Sequence, residues 1–474
     1  MTKSATGSAG RDSAIVRAFD YIDSGEFEGE LARRVAFKTE SQKSDSLPEL
    51  RRYLNEEMIP AFKDMGFDCT IHDNPLPNLG PFLLASRHEG DGLPTVLGYG
   101  HGDVVRGQDD QWTKGRGPWQ TTREDDRIYG RGSADNKGQH SINMAAMACV
   151  LKERGQLGFN AKYLIEMGEE NGSIGLRQLV EQNLDSFVAD VFMGSDGPRI
   201  RADKPTLTLG ARGAENFNLV CDLRKGAHHS GNWGGLLADP AIILAHAIAS
   251  IVSATGEILI PEWLPPQMPG SVKDALSKIE IETLGGGPAI DPDWGQPGLS
   301  APEKVYGWNN FAVLAMTSGN PERPVNAISP GARAVCQLRY FAGTKVDGLI
   351  PALRRHLDAH GFQNVAIKPP PAANAGGFSA SRTELDNPWV AYVSGSFKRT
   401  TGEAPAVLPS MGGSICNEVF TDVLGIPAIW IPHSYTACSQ HAPDEHILLS
   451  GCRSAIELMT GLYWDLGSKE VKRP

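Results

Sequence analysis

Five places in the chain carry side chains that could do metal chemistry: His101 and Asp103 in GHGDVV, Asp135 in GRGSADNKG, the Glu169-Glu170 pair in MGEEN, Asp196 in GSDGP, and His441 in SQHAPDE. Taken singly, each has an ordinary structural explanation. HGD is a loop with a satisfied histidine, GEEN a helix start whose acids complement the dipole, and Asp135 a turn or cap residue. Taken together, they are imidazoles and carboxylates that follow short apolar runs, with Asp135 in a glycine-rich turn. Mixed imidazole and carboxylate donors suit zinc, manganese or cobalt rather than calcium.

Something must hold these residues at one place. PTVLGYG runs up to His101, AKYLIEM to Gly168-Glu169-Glu170, ADVFM to Gly194-Ser195-Asp196, and PAIWI to Pro432-His433 and the loop that reaches His441. Each reads as a strand. Gln139 to Glu153 has a helical pattern between the first two. Strands alternating with helices predict an α/β fold with a mostly parallel sheet, whose ligands bind beyond the carboxyl ends of the strands. The polar residues fall at those ends.

Upstream, Ser13 to Val35 and Pro48 to Met65 carry apolar residues at helical spacing, and Pro48 suits a first turn. The first ten residues are small and polar, which predicts disorder. From Arg212 the pattern changes. A strand-like run (GAENFNLVCDL) precedes a helix from Leu236 to Val252, then a Pro/Gly-rich section from Pro261 to Pro302. Two more strand-like runs (NNFAVLAMTSG and ARAVCQLRYF) precede a helix from Val346 to His360. This predicts a small α+β domain inserted into the larger one, and PPPAANAGGFSASRTELDNP reads as the way back. The expected boundaries are 1–211 and 383–474 for the two parts of the main domain, and 212–382 for the insertion.

Bulk properties agree. A chain of 474 residues exceeds what one core usually supports, so two domains are the default. With 45 basic against 56 acidic residues, the net charge of −11 argues against nucleic acid or an anionic membrane as partner. The start lacks the apolar stretch of a signal peptide, and no run of about 18 apolar residues predicts a membrane span. The 7 cysteines are scattered, odd in number and never in CxxC spacing. That argues against a disulfide framework or a thiolate zinc site and fits a reducing cytoplasm.

The order HxD, GRGSxDxKG, GEE, SDG and an SxHxPxE-like loop resembles the M20 metallopeptidases, from about Ser13 to the C-terminus. WTKGRGPWQTTREDDRIYGRGSADNKG is especially similar to their carnosinase-like dipeptidase branch. The resemblance implies a hydrolase with two divalent ions, zinc first, with manganese or cobalt as alternatives. His101 and Asp196 would complete one metal site, Glu170 and His441 the other, and Asp135 would bridge them. Glu169 would be the general base, and Asp103 would orient the His101 ring. A bridging carboxylate lets two cations sit roughly 3.5–4 Å apart, polarising a carbonyl and acidifying a water, while a separate glutamate moves the proton. Aspartate at position 196 is more like the dipeptidase and aminopeptidase members than the carboxypeptidases and deacylases. Asn136 departs from the residues often found there.

The same resemblance makes the insertion a lid and dimerisation domain. In HHSGNWGG, His229 matches the histidine that reaches the partner subunit's site in a homodimer and stabilises the oxyanion, with Asn326 a further candidate there. Arg339 matches a carboxylate-binding arginine, and Gly413 and Ser414 match the loop that meets the same carboxylate. The implied substrate is a dipeptide or similar small amide with a free carboxylate; the alternative is an N-acyl or N-carbamoyl amino acid. His140, His246, His356 and His360 sit in helical patterns and read as packing or surface residues.

Overall fold

The computed structural model describes residues 6–281, 289–370, 377–469 and 471–474. Its largest sheet has eight strands in the spatial order Asp68–His72, Phe82–Arg87, Asn160–Glu166, Thr95–His101, Val191–Gly194, Ala428–Trp430, Thr206–Thr208 and Ala406–Leu408. The four central strands, from Asn160–Glu166 to Ala428–Trp430, run parallel, as the alternation of strands and helices predicts. The strands Asp68–His72 and Phe82–Arg87 add an antiparallel margin beyond the strands expected from the sequence.

The central strand Thr95–His101 is buried from its second residue onward, as befits a strand covered on both faces. Two of its glycines permit that cover. A Cβ at Gly98 would stand 2.5 Å from the Tyr163 ring, and one at Gly100 would stand 2.5 Å from the His140 Cβ. Helices Lys137–Arg154, Leu449–Leu466 and Thr6–Asp23 pack together over one face and share its apolar core. A second cluster with Phe192, Phe420 and Trp430 fills the other face.

The N-terminus departs from expectation. Residues 6–10 are helical rather than disordered, because Thr6–Asp23 lies along the last helix, where Arg11 pairs with Asp465 at 2.9 Å. Residues 1–5 lie outside the described residues. Gly25, at φ 83°, separates this helix from Glu26–Val35.

A second sheet, of four antiparallel strands, runs Asn310–Thr317, Gly331–Tyr340, Gly213–Asp222 and Ala366–Lys368. Helices Pro240–Ile251 and Leu349–Ala359 share its core with Phe217, Trp263 and Leu338. The first of these helices begins at Pro240, capped by Asp239, rather than at Leu236. Gly210–Ala211 pairs with Ser381–Arg382, so the segments leading into and out of this α+β unit lie side by side. Parts of the Pro/Gly-rich section and of the return segment lie outside the described residues. Among the described residues, no helix is long and apolar enough to cross a membrane.

Candidate metal centre

His101 is the last residue of the central strand, Glu169 and Glu170 form a 3-10 turn just past Glu166, and Asp196 follows Gly194 by two. Asp135 stands two residues before helix Lys137–Arg154, and His441 comes in on the loop after Ala428–Trp430. Five strand and loop ends thus meet at one rim of the sheet.

Two donor triads result. His101, Asp135 and Asp196 form one, and Asp135, Glu170 and His441 the other, with donor atoms inside each triad within 4.8 Å of one another. Asp135 belongs to both. Its Oδ1 lies 2.9 Å from His101 Nε2, and its Oδ2 lies 2.9 Å from His441 Nε2. Asp196 Oδ2 is 3.6 Å from His101 Nε2, and Glu170 Oε2 is 3.1 Å from His441 Nε2.

The electrostatics follow from crowding carboxylates out of water. Burial and the charge of Asp135 push Asp196 up to about 6 and Glu170 up to about 7. Burial also holds Glu169 well above the usual range, against the pull of His101. Asp135 is buried too, yet its hydrogen bonds with the two histidines hold it well below that range. Hydrogen bonds to Asp135 and Glu170 push His441 up to about 11. One Glu170 oxygen, Oε1, is buried without a hydrogen-bond partner among the described residues. Acidic oxygens that compete for positive charge, together with imidazole nitrogens, form a donor set that fits divalent transition ions.

Asp103 does more than face the ring beside it. His101 Nδ1 lies 3.0 Å from the Asp103 carbonyl oxygen and 3.4 Å from its Oδ1. The same carboxylate accepts the backbone amides of Glu169 at 3.2 Å and Glu170 at 3.1 Å. Glu169 contributes to neither triad. Its side chain makes no hydrogen bond or ion pair among the described residues.

Three positioning residues escape a sequence reading. Glu445 Oε1 accepts the amides of Gly132, Ala134 and Asp135, each at 3.0 Å, while Oε2 pairs with Arg131 at 2.8 Å. Its signal was present as the last residue of HAPDE. Asn136 donates from Nδ2 to the Ser195 carbonyl at 2.7 Å and so ties the Asp135 turn to the Asp196 loop. Gln440 donates to Asp135 Oδ2.

The substrate candidates form two further groups. Arg339, on Gly331–Tyr340, donates to Ser414 Oγ at 3.0 Å. The neighbouring Gly413 carbonyl accepts the amide of Arg212, whose guanidinium reaches the Gly412 carbonyl and Asn310 Oδ1. This contact bridges the two sheets' units. Elsewhere, His228–His229 pairs with Ala327–Ile328, and the Ser230 amide donates to the Asn326 carbonyl, so His229 and Asn326 are neighbours. His229 is exposed and accepts the Gly231 amide at 3.1 Å. Among the described residues it makes no hydrogen bond or ion pair to either triad. His140 packs as expected, with Nε2 2.8 Å from the Tyr53 hydroxyl.

A parallel-centred sheet that gathers imidazole and carboxylate donors at one rim, with an inserted α+β unit, has the architecture of a metal-dependent hydrolase. Residues 97–465 match Peptidase family M20/M25/M40, and the chain belongs to that family. It is 33% identical over 271 residues to Beta-Ala-His dipeptidase of Mus musculus, covering 54% of each chain. It is 31% identical over 292 residues to Cysteinylglycine-S-conjugate dipeptidase of Corynebacterium striatum, covering 58% of this chain and 60% of that one. The chain therefore spans about half the length of the curated relatives it matches. Its fold is similar to that of human carnosine dipeptidase 1 (TM-score 0.75, 22% identity, 96% of this chain and 99% of that one). An M20 family metallo-carboxypeptidase of Sulfolobus solfataricus is also similar (TM-score 0.78, 23% identity, 93% and 99% covered).

Proposed function

We propose that the chain is a dinuclear metal-dependent dipeptidase. The observation that carries this reading is Asp135, whose two oxygens face two different donor triads. His101 and Asp196 would hold one ion, Glu170 and His441 the other, and Asp135 would bridge. Bound there, a pair of divalent ions supplies Lewis acidity to a carbonyl and acidifies a water. Zinc is the first choice and manganese or cobalt the alternatives, since the donors suit all three.

Glu169 is the general base. It belongs to neither triad, stands beside a ligand on the same turn, and is held by its amide on Asp103. It takes a proton from the attacking water and delivers it to the leaving nitrogen, a contribution of about 10²–10⁴-fold. Asp103 fixes the His101 ring and the Glu169-Glu170 turn together.

Arg339 and Ser414, already hydrogen-bonded, and the Gly413 backbone receive the substrate's terminal carboxylate. His229 acts on the oxyanion of a partner subunit in a homodimer, with Asn326 beside it. Its exposure and its lack of contact with its own chain's triads support action in trans. Residues 212–382 form the lid and dimerisation domain, and 1–211 with 383–474 the catalytic domain. The free thiols fit a cytoplasmic enzyme.

The substrate class is tested by steady-state turnover of dipeptides against N-acetyl and N-carbamoyl amino acids. The dipeptides, including those of the β-alanyl-histidine and cysteinylglycine S-conjugate type in the names of the relatives, should be hydrolysed. Turnover of the acylated amino acids alone replaces this reading with an amidohydrolase.

A further inference from the structure

The strand Asn160–Glu166 ends on a carboxyl group that the proposed chemistry does not use. Glu166 is fully buried, one position beyond the last apolar residue of its strand. Its Oε2 accepts the Tyr99 hydroxyl at 2.9 Å and the Ser173 hydroxyl at 3.1 Å. Its Oε1 has no hydrogen-bond partner among the described residues. A buried acid with one bare oxygen costs stability whatever purpose it serves.

The partners show what that purpose is. Tyr99 is fixed in a ring cluster, with centroids 6.1 Å from Phe192 and 5.3 Å from Trp430. Ser173 closes the turn that carries Glu169 and Glu170. Its amide donates to the Gly168 carbonyl at 3.0 Å, and its own φ is 50°, a conformation uncommon outside glycine. Asp103 holds the near side of this turn by its two amides. The chain Tyr99–Glu166–Ser173 holds the far side and anchors it to the rigid core.

We propose that Glu166 is a positioning residue that, through Ser173, preforms the turn carrying Glu169 and Glu170 and so tightens the Asp135–Glu170–His441 donor set around its cation. The inference rests on the two-ion reading above. Supporting groups behind metal ligands typically govern affinity by about 10- to 100-fold. A neutral glutamine offers the same acceptor oxygen to Tyr99 and Ser173, so the amide should replace the acid.

The test is a competition titration of the metal-free full chain with Zn²⁺ against a chelating indicator, on wild type, Glu166→Gln, Glu166→Ala, Ser173→Ala and the Glu166→Ala/Ser173→Ala double variant. One of the two association constants should fall about 10- to 100-fold in each alanine variant. The double variant should be no worse than Glu166→Ala alone, and Glu166→Gln should stay close to wild type. In turnover assays the alanine variants should lose kcat with KM little changed. Unchanged constants in Glu166→Ala and Ser173→Ala, with or without a lowered melting temperature, overturn the inference, as does a Glu166→Gln chain as weak as Glu166→Ala. Should Glu166→Ala fail to fold, Ser173→Ala alone decides. A wild-type chain that binds fewer than two ions overturns the two-ion reading instead.

Discussion

Glu445 accepts the backbone amide of Asp135 at 3.0 Å, across a sequence separation of 310 residues. The late loop that delivers His441 therefore also fixes the turn that delivers the shared carboxylate. The Glu445 side chain is only 1% exposed, and its ion pair with Arg131 is sealed from water. Arg131 Nε and Nη2 have no hydrogen-bond partner among the described residues, so the pairing of its Nη1 with Glu445 is its main compensation. Removing one partner of a buried pair costs about 3–5 kcal/mol. Glu445→Ala should lose stability of that order in denaturant unfolding, and a loss near zero would refute the anchoring role.

Glu169→Ala should separate binding from chemistry. The side chain belongs to neither triad, so metal content should stay near two ions per chain while turnover drops by about 10²–10⁴-fold. Elemental analysis and steady-state kinetics on one preparation check this. Unchanged turnover removes Glu169 from the base role; a lost ion makes it a ligand.

His229 offers a test of assembly. Loss of one oxyanion donor typically costs about 10²–10³-fold in kcat, so His229→Ala should be nearly inactive. Co-expressed with Glu169→Ala, it should regain activity, because the His229→Ala subunit keeps its own base and borrows the partner subunit's histidine. Mixed preparations as inactive as the separate variants would place His229 in cis or outside the reaction.

Stability should fall in mild acid through His433. Burial, reinforced by the charge of Arg199, holds this imidazole well below its usual range, and its Nε2 sits 3.0 Å from both Ser195 Oγ and Asn143 Oδ1. The unfolded chain takes up the proton near pH 6.5, whereas the folded chain does so only at lower pH. Its stabilising effect is therefore complete above about pH 6.5 and declines at about 1.4 kcal/mol per pH unit below it. His433→Gln should flatten that slope by one proton in unfolding measured from pH 7 to pH 5. An unchanged slope would show that the group does not titrate in this way.

The sequence disclosed the site better than its supports. His101, Glu169, Glu170 and Asp196 were legible because each follows an apolar run that reads as a strand, and strand ends in α/β sheets converge on one rim. The antiparallel margin was harder to see: Asp68–His72 does alternate Cys69 and Ile71 with polar residues, but two apolar positions are a short signal, and the strand is completed by pairing with Phe82–Arg87. Residues 6–10 look disordered by composition, and only packing against a helix more than 400 residues later makes them helical. That contact includes Trp464, which a Cβ at Gly10 would meet at 3.0 Å. Glu445 stands in the SxHxPxE-like loop, but its role depends on partners more than 300 residues away, and Glu166 has no local pattern that marks it as buried. Asn136 departs from the residues often found at its position, and only its bond to Ser195, which ties the Asp135 turn to the Asp196 loop, shows what it does.

Two ions on a shared Asp135 should be what makes this chain hydrolyse dipeptides. Metal-free chain, assayed with a dipeptide while Zn²⁺ or Mn²⁺ is added stepwise, measures this most directly. Hydrolysis should be absent at the start and reach its plateau only as the second equivalent binds. Full hydrolysis in the presence of a strong chelator, or a plateau reached at a single equivalent, would overturn the two-ion reading.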